Sequence, residues 1–245
     1  MVSKNRITLI SSLHQKKYRN RYGLFTVEGL KGVKEFLDSS FEPEALYTTQ
    51  KDILGNTPIA ETLVSEPELK KMSNLKTPNK VLGVFKIPQE ETLSYEGLII
   101  ALDGVRDPGN LGTIIRLCDW FGVRQLVCSK DTVDVYNPKV VQATMGSLGR
   151  IKVNYNMFSD ILKQTTLPVY GAVMNGENVY KASLPGEGIL ILGNEANGIS
   201  EKVHPHIKHK ITIPRYGTVQ ETESLNVATA AAILLSEFRK AAIQM

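Results

Sequence analysis

Asn110 and Arg116 are polar side chains that no local structural duty explains. They lie in the run Leu102-Asp103-Gly104-Val105-Arg106-Asp107-Pro108-Gly109-Asn110-Leu111-Gly112-Thr113-Ile114-Ile115-Arg116. There Asp107 suits a helix cap and Pro108 the first helical position. Gly109 and Gly112 let a backbone or ligand approach closely. An amide and a guanidinium are thus left over just past an apolar strand, where open α/β sheets bind ligands. Six residues of ideal helix turn the two about 240° apart, so they converge only if Asn110 lies in the turn before the helix.

Two further clusters follow apolar strands. In Gly193-Asn194-Glu195-Ala196-Asn197-Gly198-Ile199 a glycine precedes an amide and a carboxylate. Such a loop can bring backbone donors up to a small ligand, although a simple turn has the same composition. The third cluster is Ile211-Thr212-Ile213-Pro214, then Glu223-Ser224-Leu225-Asn226-Val227-Ala228. Ser224 suits an N-cap, with Asn226 in the first helical turn. The helix beyond, from Val227 to Leu235, is apolar nearly all round, so burial on every side is expected, in the core or against a partner subunit.

Apolar runs at Leu98–Leu102, Gln125–Cys128, Val169–Val173 and Gly188–Leu192 position these clusters. Near-continuous runs of this kind read as strands of a mostly parallel sheet buried on both faces. Helices are expected over Leu111–Phe121, Val140–Met145, Ser159–Lys163 and Leu225–Lys240. Ahead of them, residues 1–88 read as a smaller α/β domain. It has helices at Ile7–Leu13, Leu30–Leu37 and Glu66–Met72, and strands at Leu24–Val27, Ala45–Thr48 and Val81–Phe85. Pro88–Thr92 is a polar linker, and the second domain spans 97–245.

A net charge of +4 is mild, but the opening stretch concentrates Lys16, Lys17, Arg19 and Arg21 among other cations. A basic face suits a polyanion, and equally a solvated surface. Tyr18 and Tyr22 stand among these cations and could stack on RNA. Cys118 and Cys128 sit in apolar surroundings and read as buried thiols of a reducing compartment. His204, His206 and His209 lack supporting cysteines or carboxylates, so no metal is expected. Trp120 reads as core or interface. Neither a signal peptide nor a membrane span is expected, which leaves the cytoplasm.

Taken together, the three clusters resemble the three motifs of the SpoU (TrmH-like) family of RNA ribose 2′-O-methyltransferases. The first is Asp103-x-x-x-Asp107-Pro108-x-Asn110-x-Gly112-x-x-x-Arg116 with Phe121-Gly122 after it. The second is Leu192-Gly193-Asn194-Glu195-x-x-Gly198-Ile199, and the third Ile213-Pro214 followed by Ser224-Leu225-Asn226-Val227. Lys16-Lys17-Tyr18-Arg19 and Phe25-Thr26-Val27-Glu28-Gly29 resemble the substrate-binding domain often fused in front.

The resemblance implies an α/β parallel-sheet catalytic domain ending in a trefoil knot, preceded by a smaller α/β RNA-binding domain like a ribosomal-protein fold. It implies S-adenosylmethionine as methyl donor, with Leu192, Gly193, Asn194, Ile213 and Leu225 around it. In the family the arginine matching Arg116 is credited with activating the hydroxyl; a charged Arg116 stabilising the developing alkoxide and gripping a phosphate is physically easier. Asn110, Glu195, Ser224 and Asn226 would orient it and the substrate, although Ser224 reads equally as a cap and Glu195 as a partner for Arg116. Lys16, Lys17, Arg19 and Arg21 would contact RNA, ribosomal RNA before transfer RNA, in a homodimer. Base methylation on the same fold and a non-catalytic RNA-binding role remain the alternatives. The loop Arg215–Glu223 is longer than the family's usual spacing and adds two carboxylates.

Overall fold

The computed structural model describes residues 2–89, 92–155, 158–218 and 224–243. Two compact units result, Met1–Gln89 with Asp134–Arg150, and Glu90–Val133 with Ile151–Met245.

The first unit begins with α1 (Lys4–Ser12), α2 (Lys16–Tyr22), β1 (Leu24–Glu28), α3 (Leu30–Leu37) and β2 (Pro43–Thr48). It continues with β3 (Glu61–Leu63), α4 (Glu66–Met72) and β4 (Val81–Lys86). The sheet order is β1-β4-β2-β3, antiparallel except for β2 with β3. One side of its core gathers Ile10, Leu13, Tyr47, Leu69, Met72, Leu82 and Val84. Another is aromatic: Phe25 lies 5.7 Å from Phe36 and 6.1 Å from Phe85, centroid to centroid. α2 is not among the helices expected from periodicity, because its polar run, KKYRNRY, has no apolar period.

The second unit opens with β5 (Leu98–Asp103), α5 (Pro108–Trp120) and β6 (Gln125–Cys128). At Asp134 the chain leaves it. α6 (Pro138–Thr144) and a turn of 3₁₀ helix to Arg150 belong to the first unit, where α6 packs on β1 and Tyr136 lies 4.8 Å from Phe25. The helix expected over Val140–Met145 therefore exists, but it is excised from the parallel sheet it seemed to serve. The chain then runs through β7 (Lys152–Asn154), α7 (Phe158–Gln164), β8 (Val169–Asn178), β9 (Gly188–Gly193), β10 (His209–Thr212) and α8 (Val227–Ile243). All pairings in the sheet β10-β8-β9-β5-β6-β7 are parallel.

β5 and β9 are central and buried on both faces, which is why both read as unbroken apolar runs. The register of β8 with β10 jumps from Gly171↔Lys210 to Glu177↔Ile211, so the intervening β8 residues bulge. Gly176 is required there, because a Cβ would stand 2.6 Å from the Ile211 backbone.

α8 buries one face within its own chain. Val227, Ala228, Ala231, Leu234, Leu235 and Phe238 form one buried stripe, while Thr229 and Ser236 are exposed and Ala232 and Ile233 are half-buried. Trp120 is not core: it is 83% exposed at the end of α5.

Candidate active site

Sequence-local chemistry builds the first wall of the site. Asp107 caps α5 by accepting the Asn110 N–H at 2.8 Å, and Pro108 occupies the first turn, where a missing N–H costs nothing. Asn110 therefore lies inside the helix, one turn from its start. The arrangement that would have let it converge with Arg116 within one chain is not adopted. Arg116 is exposed on another face of α5, and among the described residues no carboxylate pairs with it.

The second wall is the loop after β9, which is wound tightly and fastened to β5. Asn194 N–H donates to Gly198 O at 2.9 Å and Gly198 N–H returns a bond to Asn194 O at 2.8 Å. Gly193 makes this closure possible, since a Cβ there would stand 2.2 Å from the Gly198 carbonyl carbon. The Asn194 amide donates to Gly104 O at 2.7 Å, and its oxygen accepts the Ala196 N–H at 2.9 Å and the Asn197 N–H at 3.3 Å. Its side chain and its own N–H are thus spent inside the loop, so Asn194 shapes the site rather than offering a donor to a ligand. Asp103, 4% exposed, accepts the Ser200 N–H at 2.7 Å and ties down the far end.

Behind these groups, Gly104 N–H donates to Ser129 Oγ at 2.9 Å, and the Ser129 hydroxyl donates to Asp131 at 2.6 Å. That hydroxyl, the largest influence, holds the Asp131 carboxyl below the usual carboxylate range against the opposing effect of burial, with smaller help from its own backbone and from the Lys202 and Arg106 charges. Asp103, Ser129 and Asp131 went unremarked as functional residues in the sequence. Only the first sits in a recognisable pattern; Ser129 bonds Asp131 two residues on and Gly104 from 25 residues away, and no motif marks either.

The third wall is the start of α8. Asn226, not Ser224, is its cap: the Asn226 oxygen accepts the Ala228 N–H at 3.0 Å and the Thr229 N–H at 3.2 Å. Ser224 is exposed, and its hydroxyl has no partner among the described residues. With its oxygen so engaged, the Asn226 amide nitrogen donates to Asn110 Oδ1 at 2.9 Å. Asn110 must then turn its own nitrogen outward, and that nitrogen donates to Glu195. The chain of bonds has one direction, from the positive end of α8 through two amides to a carboxylate acceptor. It unites Asn110, Glu195 and Asn226, and Glu195 pairs with Asn110 rather than with Arg116.

Leu192 and Gly193 end β9, Ile213 follows β10, and Leu225 precedes Asn226, so these positions follow the carboxyl ends of their strands or flank the cap. Leu225 is 47% exposed beside polar groups. The stretch Arg215–Thr218 is exposed, whereas Val219–Glu223, with the extra carboxylates, lie outside the described residues. No group of three or more metal-ligating side chains occurs among the described residues, and none of their helices is long and apolar enough to cross a membrane.

Of the four basic residues expected at RNA, Lys16, Lys17 and Arg21 are exposed on α2. Arg19 is not an RNA contact. It is 2% exposed, its guanidinium bound to Asp134 and to the carbonyl oxygens of Leu13 at 2.8 Å and His14 at 2.9 Å. Burial, with every guanidinium nitrogen already bonded inside the chain, keeps it from reaching a ligand.

The chain is similar to known proteins. Residues 97–236 match the SpoU rRNA Methylase family and residues 4–83 the MRM3-like substrate binding domain. The 23S rRNA (guanosine(2553)-2′-O)-methyltransferase RlmP of Bacillus subtilis is 33% identical over 93% of both chains. A TrmH-family protein from Porphyromonas gingivalis superposes with a TM-score of 0.91 at 40% identity, covering 98% of this chain and 99% of that one. An AdoMet-bound rRNA methyltransferase from Sinorhizobium meliloti gives 0.87 at 27% identity, over 98% and 96%. The chain belongs to the SpoU rRNA methylase family, with an MRM3-like substrate-binding domain in front of its methylase domain.

Proposed function

We propose that this protein transfers a methyl group from S-adenosylmethionine to a ribose 2′-hydroxyl of ribosomal RNA. The observation that carries the reading is the Asn226–Asn110–Glu195 chain of hydrogen bonds beside the closed loop after β9. The family and the relatives' ribose chemistry agree with it.

The donor set fits the methyl donor. The carboxyl end of β9 at Leu192 and Gly193, the half-buried Ile213 and the uncovered Leu225 offer polar backbone and apolar surface together, as an adenosine requires, while Asn194 holds the loop closed beside them. When bound, the donor supplies an electrophilic methyl on a sulfonium. The chain's own residues must align a ribose oxygen with that methyl and stabilise the charge that develops as its proton leaves. Glu195 keeps one carboxylate oxygen free among the described residues, so it can accept a hydrogen bond from the substrate or from a guanidinium. Arg116 is a persistent cation with five donors, better suited to steadying an alkoxide or a phosphate than to removing a proton. Ser224, with its hydroxyl unspent, is positioned to bond the substrate.

Arg116 shares its face of α5 with Trp120, one turn on, and that face points about 240° away from Asn110. A second copy covering Trp120 and the half-buried Ala232 and Ile233 would bring Arg116 to a site from which its own chain holds it away, so we place the working enzyme as a homodimer in the cytoplasm. Trp120 is the only tryptophan. Its emission reads directly: blue-shifted in a dimer, water-like in a monomer.

The decisive experiment incubates the protein with labelled S-adenosylmethionine and ribosomal RNA, then hydrolyses the product in alkali. Label in alkali-resistant dinucleotides is expected. Label only in mononucleotides would mean base methylation, and no label would sink the reading.

A further inference from the structure

The outward face of α2 repeats one device a helical turn apart. Lys17 Nζ lies 4.7 Å from the centroid of the Tyr18 ring, and the Arg21 guanidinium 5.5 Å from that of Tyr22. The two tyrosine rings are near parallel, with 12° between their planes and centroids 6.3 Å apart. Tyr22 is 39% exposed and Tyr18 half-buried. Among the described residues, Lys16, Lys17 and Arg21 have no carboxylate partner.

A seven-residue helix is far too short to hold such an array by its own propensity. Here it is held from beneath. Arg19, on the inward face, is bonded to Asp134 and to the Leu13 and His14 carbonyls, and Gly23 closes the helix in a left-handed conformation at φ 64°. The buried arginine thus fixes the orientation of the two exposed cation–tyrosine pairs. Three uncompensated cations and two parallel rings on a fixed support make poor surface economy for a merely solvated helix. They suit a strand that offers phosphates and unpaired bases together.

We propose that the Tyr18–Tyr22 face of α2 is a stacking site for unpaired bases of the RNA substrate, with Lys16, Lys17 and Arg21 on the adjoining phosphates. The site therefore selects single-stranded or looped RNA over continuous duplex, whose base faces are hidden by their neighbours. This rests on the reading of the protein as an RNA methyltransferase, and the test separates the two.

The full-length protein is titrated with a labelled single-stranded RNA oligonucleotide, and with the same strand annealed to its complement, at several salt concentrations. Tyr18→Leu/Tyr22→Leu should weaken single-strand binding roughly tenfold with little change in salt dependence. Tyr18→Phe/Tyr22→Phe should bind as the parent does, because the ring faces survive. Lys17→Gln/Arg21→Gln should reduce the slope of log affinity against log salt by about 0.7 for each phosphate that is no longer neutralised. Should the double leucine variant melt early, Tyr22→Leu alone, at an exposed position, carries the test with a smaller loss of the same kind. Single-strand affinity unchanged in the leucine variants, or duplex affinity falling equally, would overturn the proposal. Oligonucleotide binding does not depend on methyl transfer, so a parent protein that fails to methylate RNA breaks the functional reading and leaves this one still decided by the titration.

Discussion

Arg19 on α2 and Arg116 on α5 look alike in the sequence, each a cation on a helix near an apolar strand. The structure gives them opposite fates. Arg19 is enclosed, with its donors committed to Asp134 and two carbonyl oxygens. Arg116 is exposed and unpaired among the described residues. The contrast shows how to tell a structural cation from a working one. A guanidinium whose hydrogen bonds are spent inside its own chain holds the fold, and one left unspent on an open helix face is there for something that binds.

The largest expected effect falls on the spent arginine. Arg19→Ala leaves Asp134 with little solvent and no cation, and breaking an enclosed pair from one side costs about 3–5 kcal/mol. Urea titration should show that loss in full. A loss below about 1 kcal/mol would place Arg19 with the surface cations and dissolve the contrast. Arg116→Ala should do the reverse. Stability should stay within about 0.5 kcal/mol, while methyl transfer falls by roughly 10²–10³. Full activity in that variant would remove the reason for calling Arg116 unspent.

Asn226 sharpens the comparison because it does both jobs. Asn226→Ala removes the α8 cap, about 1 kcal/mol, and leaves Asn110 Oδ1 without its donor. Asn226→Asp keeps an oxygen for the cap but turns an acceptor toward the Asn110 acceptor. We expect near-parent stability in Asn226→Asp, with methyl transfer reduced at least about tenfold. If the two variants lose activity only in proportion to stability, Asn226 is a cap and nothing more.

Legibility followed the range of the interactions. β5, β6 and β9 were plain in the sequence because both of their faces are buried, and α4 because Pro67 suits the first turn of a helix. β3, β7 and β10, at three or four residues and partly exposed, carry too short a signal. Ser224 and Asn226 are both good cap residues, and only the neighbouring Asn110 decides between them. Nothing in the sequence of α6 betrays that it belongs to the first unit, because the partners that hold its segment there, Arg19 and Phe25, lie over a hundred residues upstream. For the site, residue identities were readable from motif resemblance. The direction of the amide chain was not, since it depends on contacts across 85 and 116 residues.

The smallest effect concerns a second arginine–aspartate pair on the loop that leads to Asp134. Arg106 and Asp131 approach to 3.8 Å, with side chains 71% and 51% exposed. Asp131 is held below its ordinary value of 3.8, first by the Ser129 hydroxyl. A carboxyl lowered in the folded state stabilises the protein above its unfolded value, and that contribution drains away as pH falls through the folded value. Screening at a half-exposed group limits it to about 0.5 kcal/mol. Asp131→Asn retains an oxygen for Ser129 and loses only the charge. The stability gap between parent and variant should therefore be small and flat at neutral pH, and should close below about pH 4. A gap of several kcal/mol, or one that widens in acid, would mean that this exposed pair behaves like the enclosed Arg19–Asp134 pair. Burial would then not be what separates the arginines of this protein.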